Sequence, residues 1–171
     1  MQKSKINMDD THAVLTNLGR IFGVEDKAAT LVDGYRKDLA NPLAGPSSLA
    51  AAARMFLYDS GEDAVFTVGR YAMPTAIIEA AGGVNIMDDL EKSWAKIAWE
   101  AVIDRDPKIV VIVNYGDATA KPKIAILKGN PAVADIDAVK NDRFVVLEYV
   151  EATFGPRNIA AVAKVANASR A

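Results

Sequence analysis

The run Ile109-Val110-Val111-Ile112-Val113 decides the fold. Every residue in it is β-branched and apolar, so the strand it predicts has no polar face and must be covered on both sides. That is the signature of a central strand in a helix-flanked parallel sheet. Working outward, Met55–Tyr58, Val65–Val68 and Phe144–Leu147 predict further strands, and helix signals fall between them. Pro74 sits just inside a start and is followed by Ala76, Ile77, Ile78 and Ala80, with Gly82-Gly83 as the stop. Trp94 to Asp104 reads as a second helix, and Gly155-Pro156 opens a third through Ile159, Val162 and Val165. A short helix around Lys123 to Leu127 completes the alternation. Strands that alternate with helices predict an α/β class: a mainly parallel, Rossmann-like sheet flanked by helices.

Upstream the pattern is helical alone. From Asp10 to Ala40, residues such as Val14, Leu15, Leu18, Ile21, Phe22, Leu31 and Leu39 recur at three- and four-residue intervals. Gly23 before Val24-Glu25-Asp26 fits the residue after one helix and the start of another. Asn41 to Ser48 carries Pro42, Gly45 and Pro46 and reads as a connection, while Leu49 to Ala53 reads as a helical turn. This divides the chain into a helical arm with its connection at 1–48 and an α/β lobe at 49–171.

Composition narrows the function. Lys and Arg number 20 against 22 Asp and Glu, a net charge of -2, so there is no basic footprint for nucleic acid or anionic lipid. With 51% hydrophobic and 25% charged residues the chain is predicted to fold and stay in water. The absence of cysteine excludes disulfides, thiolate nucleophiles and iron–sulfur clusters. The polar start from Met1 to Asp10 lacks the apolar core of a secretory signal. Gly-x-Gly-x-x-Gly and phosphate-loop patterns are missing, which disfavours a nucleotide enzyme. His12, the single histidine, has a polar setting that predicts a surface position.

In open parallel sheets ligands gather where strands end, so the residues just past each strand carry the functional information. Here they are Gly69-Arg70-Tyr71, Asn114-Tyr115-Gly116 and Glu148-Tyr149-Val150-Glu151. On one helix Trp94 and Trp99 would project about 140° apart at about 100° per residue, so only one could line a pocket. Trp99, beside Ile97, Val102 and Ile103, has the core setting, which leaves Trp94 for a ligand. Glu100 alone is an ordinary surface helix residue.

Six segments then stand in a telling order: Met55-Phe56-Leu57-Tyr58-Asp59-Ser60-Gly61, Phe66-Thr67-Val68-Gly69, Ala80-Ala81-Gly82-Gly83-Val84-Asn85-Ile86, Trp94-Ala95-Lys96-Ile97-Ala98-Trp99-Glu100, Asp106-Pro107-Lys108-Ile109-Val110-Val111-Ile112 and Ala138-Val139-Lys140-Asn141-Asp142-Arg143-Phe144. Together they resemble the carboxy-terminal lobe of periplasmic binding proteins for ferric siderophores, haem and cobalamin. Leu18-Gly19-Arg20-Ile21-Phe22-Gly23-Val24 is similar to the helix that joins the two lobes of that family. The resemblance implies a binding module of an ABC importer, periplasmic or lipid-anchored outside the cytoplasm, with ligand held between two lobes. It further implies that the first lobe and the export signal lie outside this sequence.

Carried over residue by residue, Trp94 matches the indole lining the cleft and Glu100 the acidic residue that docks on the permease. Arg70, Tyr71 and Tyr115 fall in cleft-facing loops, as do Glu151 and Phe154 in the last of them. Iron would stay in its chelator, with no cofactor and no protein metal ligand required. Two rival classes remain. A small α/β hydrolase could use Asp59 or Glu151, but it lacks a histidine or cysteine partner. An interaction protein could form a homodimer through the exposed apolar face of the arm.

Overall fold

The computed structural model describes residues 5–43, 52–117 and 119–170. Four strands form one parallel sheet, in the order β3 (Val84–Asn85), β1 (Arg54–Tyr58), β5 (Ile109–Asn114), β6 (Phe144–Glu148). The apolar run is the inner strand β5, with Met55 opposite Ile109 on one side and Val110 opposite Phe144 on the other. Its period of two sorts the core. Met55, Leu57, Ile109, Val111, Val113 and Leu147 face a cluster that includes α3 (Met73–Ala80) and α8 (Asn158–Ala168). Phe56, Tyr58, Val110 and Ile112 face a second cluster with Trp99, Leu127 and Val139, the last two from α5 (Ala120–Gly129) and α6 (Asp137–Lys140). Both faces are buried, as the unbroken apolar sequence requires.

One expected element is replaced. Trp94 does not open a helix: Trp94–Ile97 is β4, paired antiparallel with β2 (Val65–Val68) in a separate two-stranded sheet. The helix that follows, α4, is a single turn, Glu100–Ile103. Strand pairing won over local helical spacing because Trp94 stacks diagonally on Phe66, ring centroids 5.3 Å apart and 21° between planes. The angles drawn between Trp94, Trp99 and Glu100 on one helix therefore do not apply. β2 likewise stands outside the parallel sheet, although Thr67 ties it back by donating to the Leu57 carbonyl at 2.6 Å. The third helix opens at Asn158, three residues after Gly155.

The arm consists of α1 (Met8–Phe22) and α2 (Glu25–Leu43). Asn7 and Asp10 form a reciprocal cap at its start, and Gly23, at φ 64° in the left-handed region, turns the chain between the helices. The helices cross closely where Gly19 meets Ala28. α2 packs along α8, and its Tyr35 and Leu39 rest against the first cluster. His12, expected at the surface, is buried at 4% exposure, on a helix that packs against both α2 and α3. The Asn41 to Ser48 connection and the Leu49 to Ala53 turn fall largely outside the described residues; α2 itself continues to Leu43. Among the described residues no helix is long and apolar enough to cross a membrane.

Candidate functional site

The chain leaves β1, β5 and β6 at Asp59, Asn114 and Glu148, all at the same edge of the parallel sheet. At that edge lies a cavity of about 630 Å³. Its walls are aromatic. Phe66 and Trp94 form one side as a stacked pair; Tyr115 and Tyr149 form another, with centroids 5.8 Å apart and 59° between planes. Tyr71 and Phe154 complete the ring. Trp94, Tyr149 and Phe154 are 39%, 56% and 46% exposed, a concentration of large rings in water that marks a contact surface.

Each wall has a local cause. Gly69 lets the β2 exit pass within van der Waals reach of another segment: a Cβ there would lie 2.4 Å from the Lys92 carbonyl oxygen and 2.5 Å from that of Leu90. The Gly69 and Arg70 amides donate to the Ser93 and Leu90 carbonyls, both at 3.0 Å, and this closure seats Tyr71 at the cavity. Asn114 Oδ1 accepts from the Ala120 amide at 2.9 Å while its Nδ2 donates to Glu148 Oε2 at 2.9 Å, so the β5 and β6 exits are held together. Asn158 is fully buried and braces the last loop: its Nδ2 donates to the Glu151 and Thr153 carbonyls at 2.8 and 2.7 Å, and its Oδ1 accepts from the Gly155 amide at 2.8 Å.

Beneath the rings runs a polar chain. The Tyr115 hydroxyl donates to Asp59 Oδ2 at 2.9 Å, and Ser60 Oγ donates to the same oxygen at 3.1 Å. Burial, reinforced by the adjacent Asp59 carboxylate, pushes the Tyr115 phenol up to about 12. Lys123, only 3% exposed, donates to the Val113 carbonyl at 2.6 Å and lies 4.2 Å from the centroid of the Tyr115 ring. Desolvation lowers its ammonium from the ordinary lysine value, partly opposed by Asp59. The buried cation is tolerable because a carbonyl and a ring face both meet it.

Of the residues singled out from sequence, Tyr71, Trp94, Tyr115 and Phe154 are brought together around this cavity. Arg70 and Glu151 lie outside its lining. Arg70 Nε donates to the Asp88 carbonyl at 2.8 Å, and its guanidinium lies 3.6 Å from Glu91 and 3.8 Å from Asp88. Glu151 Oε2 accepts from the Glu148 amide at 2.8 Å and from Lys164 at 2.7 Å. Both side chains are occupied in bracing loops. Glu100 is exposed in the first turn of α4, away from the lining. Sequence reasoning missed Phe66, whose wall position depends on the β2–β4 pairing, and named Tyr149 only among the strand-exit residues without carrying it to the cleft. A larger groove of about 850 Å³ runs between α2 and α8, past Tyr35, Arg157 and Arg170. It lies away from the strand exits, and the aromatic cavity is the candidate site.

A sheet whose strand exits form an aromatic bowl defines an α/β ligand-binding lobe. The chain belongs to the periplasmic binding protein family, whose model matches residues 8–150. It is similar in structure to a periplasmic binding protein from Veillonella parvula DSM 2008, with 32% identity, TM-score 0.87, and coverage of 96% of this chain and 57% of that one. It also shares the fold of an ABC-type Fe3+-hydroxamate transport system protein from Saccharomonospora viridis DSM 43017 (21% identity, TM-score 0.82, 98% of this chain and 58% of that one). A periplasmic haem-binding protein from Pseudomonas aeruginosa aligns at 26% identity and TM-score 0.78 over 97% of this chain and 61% of that one. The chain therefore spans about three fifths of the length of these structures. No curated protein matches the sequence.

Proposed function

We propose that this chain supplies one lobe of the solute-binding component of an ABC importer, and that its solute is a ferric siderophore or related metal chelate. The observation that carries the reading is the ring of exposed aromatics, Trp94, Tyr149 and Phe154, opened toward solvent at the strand exits. A bulky chelate presents flat, partly apolar faces, and aromatic side chains grip such faces at little cost in conformational entropy. Tyr71, Trp94, Tyr115 and Phe154 contact the ligand, joined by Phe66 and Tyr149; Arg70 and Glu151 hold the loops that carry them. The lobe binds and does not turn its ligand over. Glu100, exposed at the head of α4, meets a basic permease surface outside the cytoplasm.

Titration of intrinsic fluorescence with ferric hydroxamate, ferric catecholate, haem and cobalamin tests this. Saturable quenching by at least one of them, reduced in Trp94→Phe, is expected; no response to any of the four removes the reading. A second reading, self-association through the arm, is favoured by one observation: Ile21 and Phe22 are 72% and 71% exposed. Light scattering over the micromolar range decides it, since a strict monomer eliminates the dimer.

A further inference from the structure

We propose that the Asp59 carboxylate, in a cavity whose lining holds no cation among the described residues, makes this lobe select chelates without net negative charge: neutral or cationic hydroxamate-type iron complexes over catecholate complexes or haem. This rests on the reading of the chain as a chelate-binding lobe. Among the described residues lining the cavity, Asp59 is the one that carries a formal charge, and it is negative. It sits at the floor, 6% exposed, held by the hydroxyls of Tyr115 and Ser60.

Four described cations near the cavity, none of them in its lining, are engaged with other groups; Lys92 and Lys96, exposed beside Ser93 and opposite Phe66, lie at its rim outside the lining. The Lys123 ammonium lies against the Tyr115 ring and donates to the Val113 carbonyl; it offsets part of the Asp59 charge but, at 3% exposure, is not in the lining that meets a ligand. Arg70 is drawn out to Asp88 and Glu91. Lys5, next to the lining residue Ile6, is bonded to Glu79 and Asp88, and Lys164 to Glu151. Of the other lining residues six are aromatic and the rest are apolar or uncharged, and a ring face turned to a ligand presents the negative side of its quadrupole. A catecholate complex or the carboxylates of haem would give up hydration here for a carboxylate and π-faces. A neutral complex loses little, and a cationic one gains from both.

Calorimetric titration of the full chain with a neutral ferric tris-hydroxamate (ferrichrome), a singly cationic one (ferrioxamine B) and a triply anionic ferric tris-catecholate (ferric enterobactin) tests the proposal. Both hydroxamates should bind at least about tenfold tighter than the triply charged catecholate, the size of effect that even a partly screened carboxylate produces on three like charges. In Asp59→Asn, which keeps an acceptor for Tyr115, the preference for the cationic over the neutral complex should fall about fivefold. If that variant fails to fold, a salt series on the unaltered chain gives the same information: added salt should weaken the cationic complex relative to the neutral one. Equal or tighter binding of the catecholate, an unchanged cationic-to-neutral ratio in Asp59→Asn, or a salt-independent ratio overturns the charge selection while leaving the chelate-binding reading intact. Binding of none of the three overturns that reading, and the selection with it.

Discussion

Replacing each tryptophan by alanine separates the site from the scaffold. Trp99 is 7% exposed, its ring lies 5.8 Å from that of Tyr58, and its Nε1 donates to the Glu62 carbonyl at 2.5 Å. Trp99→Ala removes a buried indole from the second cluster and leaves a cavity behind it, a loss of about 3–5 kcal/mol. The released Glu62 carbonyl adds little, since its residue is exposed and water can replace the indole donor. At about 2–4 °C per kcal/mol for a chain of this size, the melting temperature should fall by roughly 6–20 °C. Trp94 has 39% exposure and one stacked neighbour, Phe66, so Trp94→Ala should cost only about 0.5–1.5 kcal/mol. Guanidinium unfolding followed by far-ultraviolet circular dichroism is the suitable assay, because it does not depend on the fluorophore being removed. Equal losses in the two variants, or a larger one at Trp94, would refute the division of roles.

Gly69→Ala should destabilise by about 1–3 kcal/mol and displace Tyr71, because the added methyl meets two carbonyl oxygens; circular dichroism melts and Tyr71 exchange signals report it. The Tyr115 phenol, pushed up to about 12, stays protonated in the folded chain where the unfolded one ionises near 10, so its contribution is whole below about pH 10 and is lost as pH rises toward 12. Lys123, lowered by burial, slopes the other way, but it is present in both proteins; the difference in melting temperature between the natural chain and Tyr115→Phe should therefore shrink steadily across that window. Glu100→Ala should leave thermal stability and chelate binding nearly unchanged while slowing transporter docking, most clearly at low salt; uptake unaltered at every salt concentration would return Glu100 to an ordinary surface role.

The central strand was legible because its β-branched run admits no other covered element, and Tyr115 because a parallel strand delivers its exit to the ligand edge; Tyr71 was reached by the same rule although β2 lies outside the parallel sheet, and Trp94 and Phe154 through the family resemblance. What stayed hidden depends on contacts that sequence spacing does not carry. Trp94-Ala95-Lys96-Ile97 has residues a helix accepts readily, and its strand state comes from pairing with Val65–Val68 and stacking on Phe66. β3 is two residues long, too short to leave a period. The burial of His12 depends on the tertiary packing of α1, and the diversion of Arg70 and Glu151 from the cavity lining follows from partners 18–21 and 13 residues away in sequence. Charged residues at strand exits look alike until their partners are known.

Hydrogen exchange with and without a neutral ferric tris-hydroxamate tests the central claim most directly. The account predicts that the chelate slows exchange in the segments around Gly69–Tyr71, Ser93–Trp94, Asn114–Tyr115 and Tyr149–Phe154, which surround the aromatic cavity. Protection confined to α2 and α8, along the groove past Tyr35 and Arg157, would contradict it.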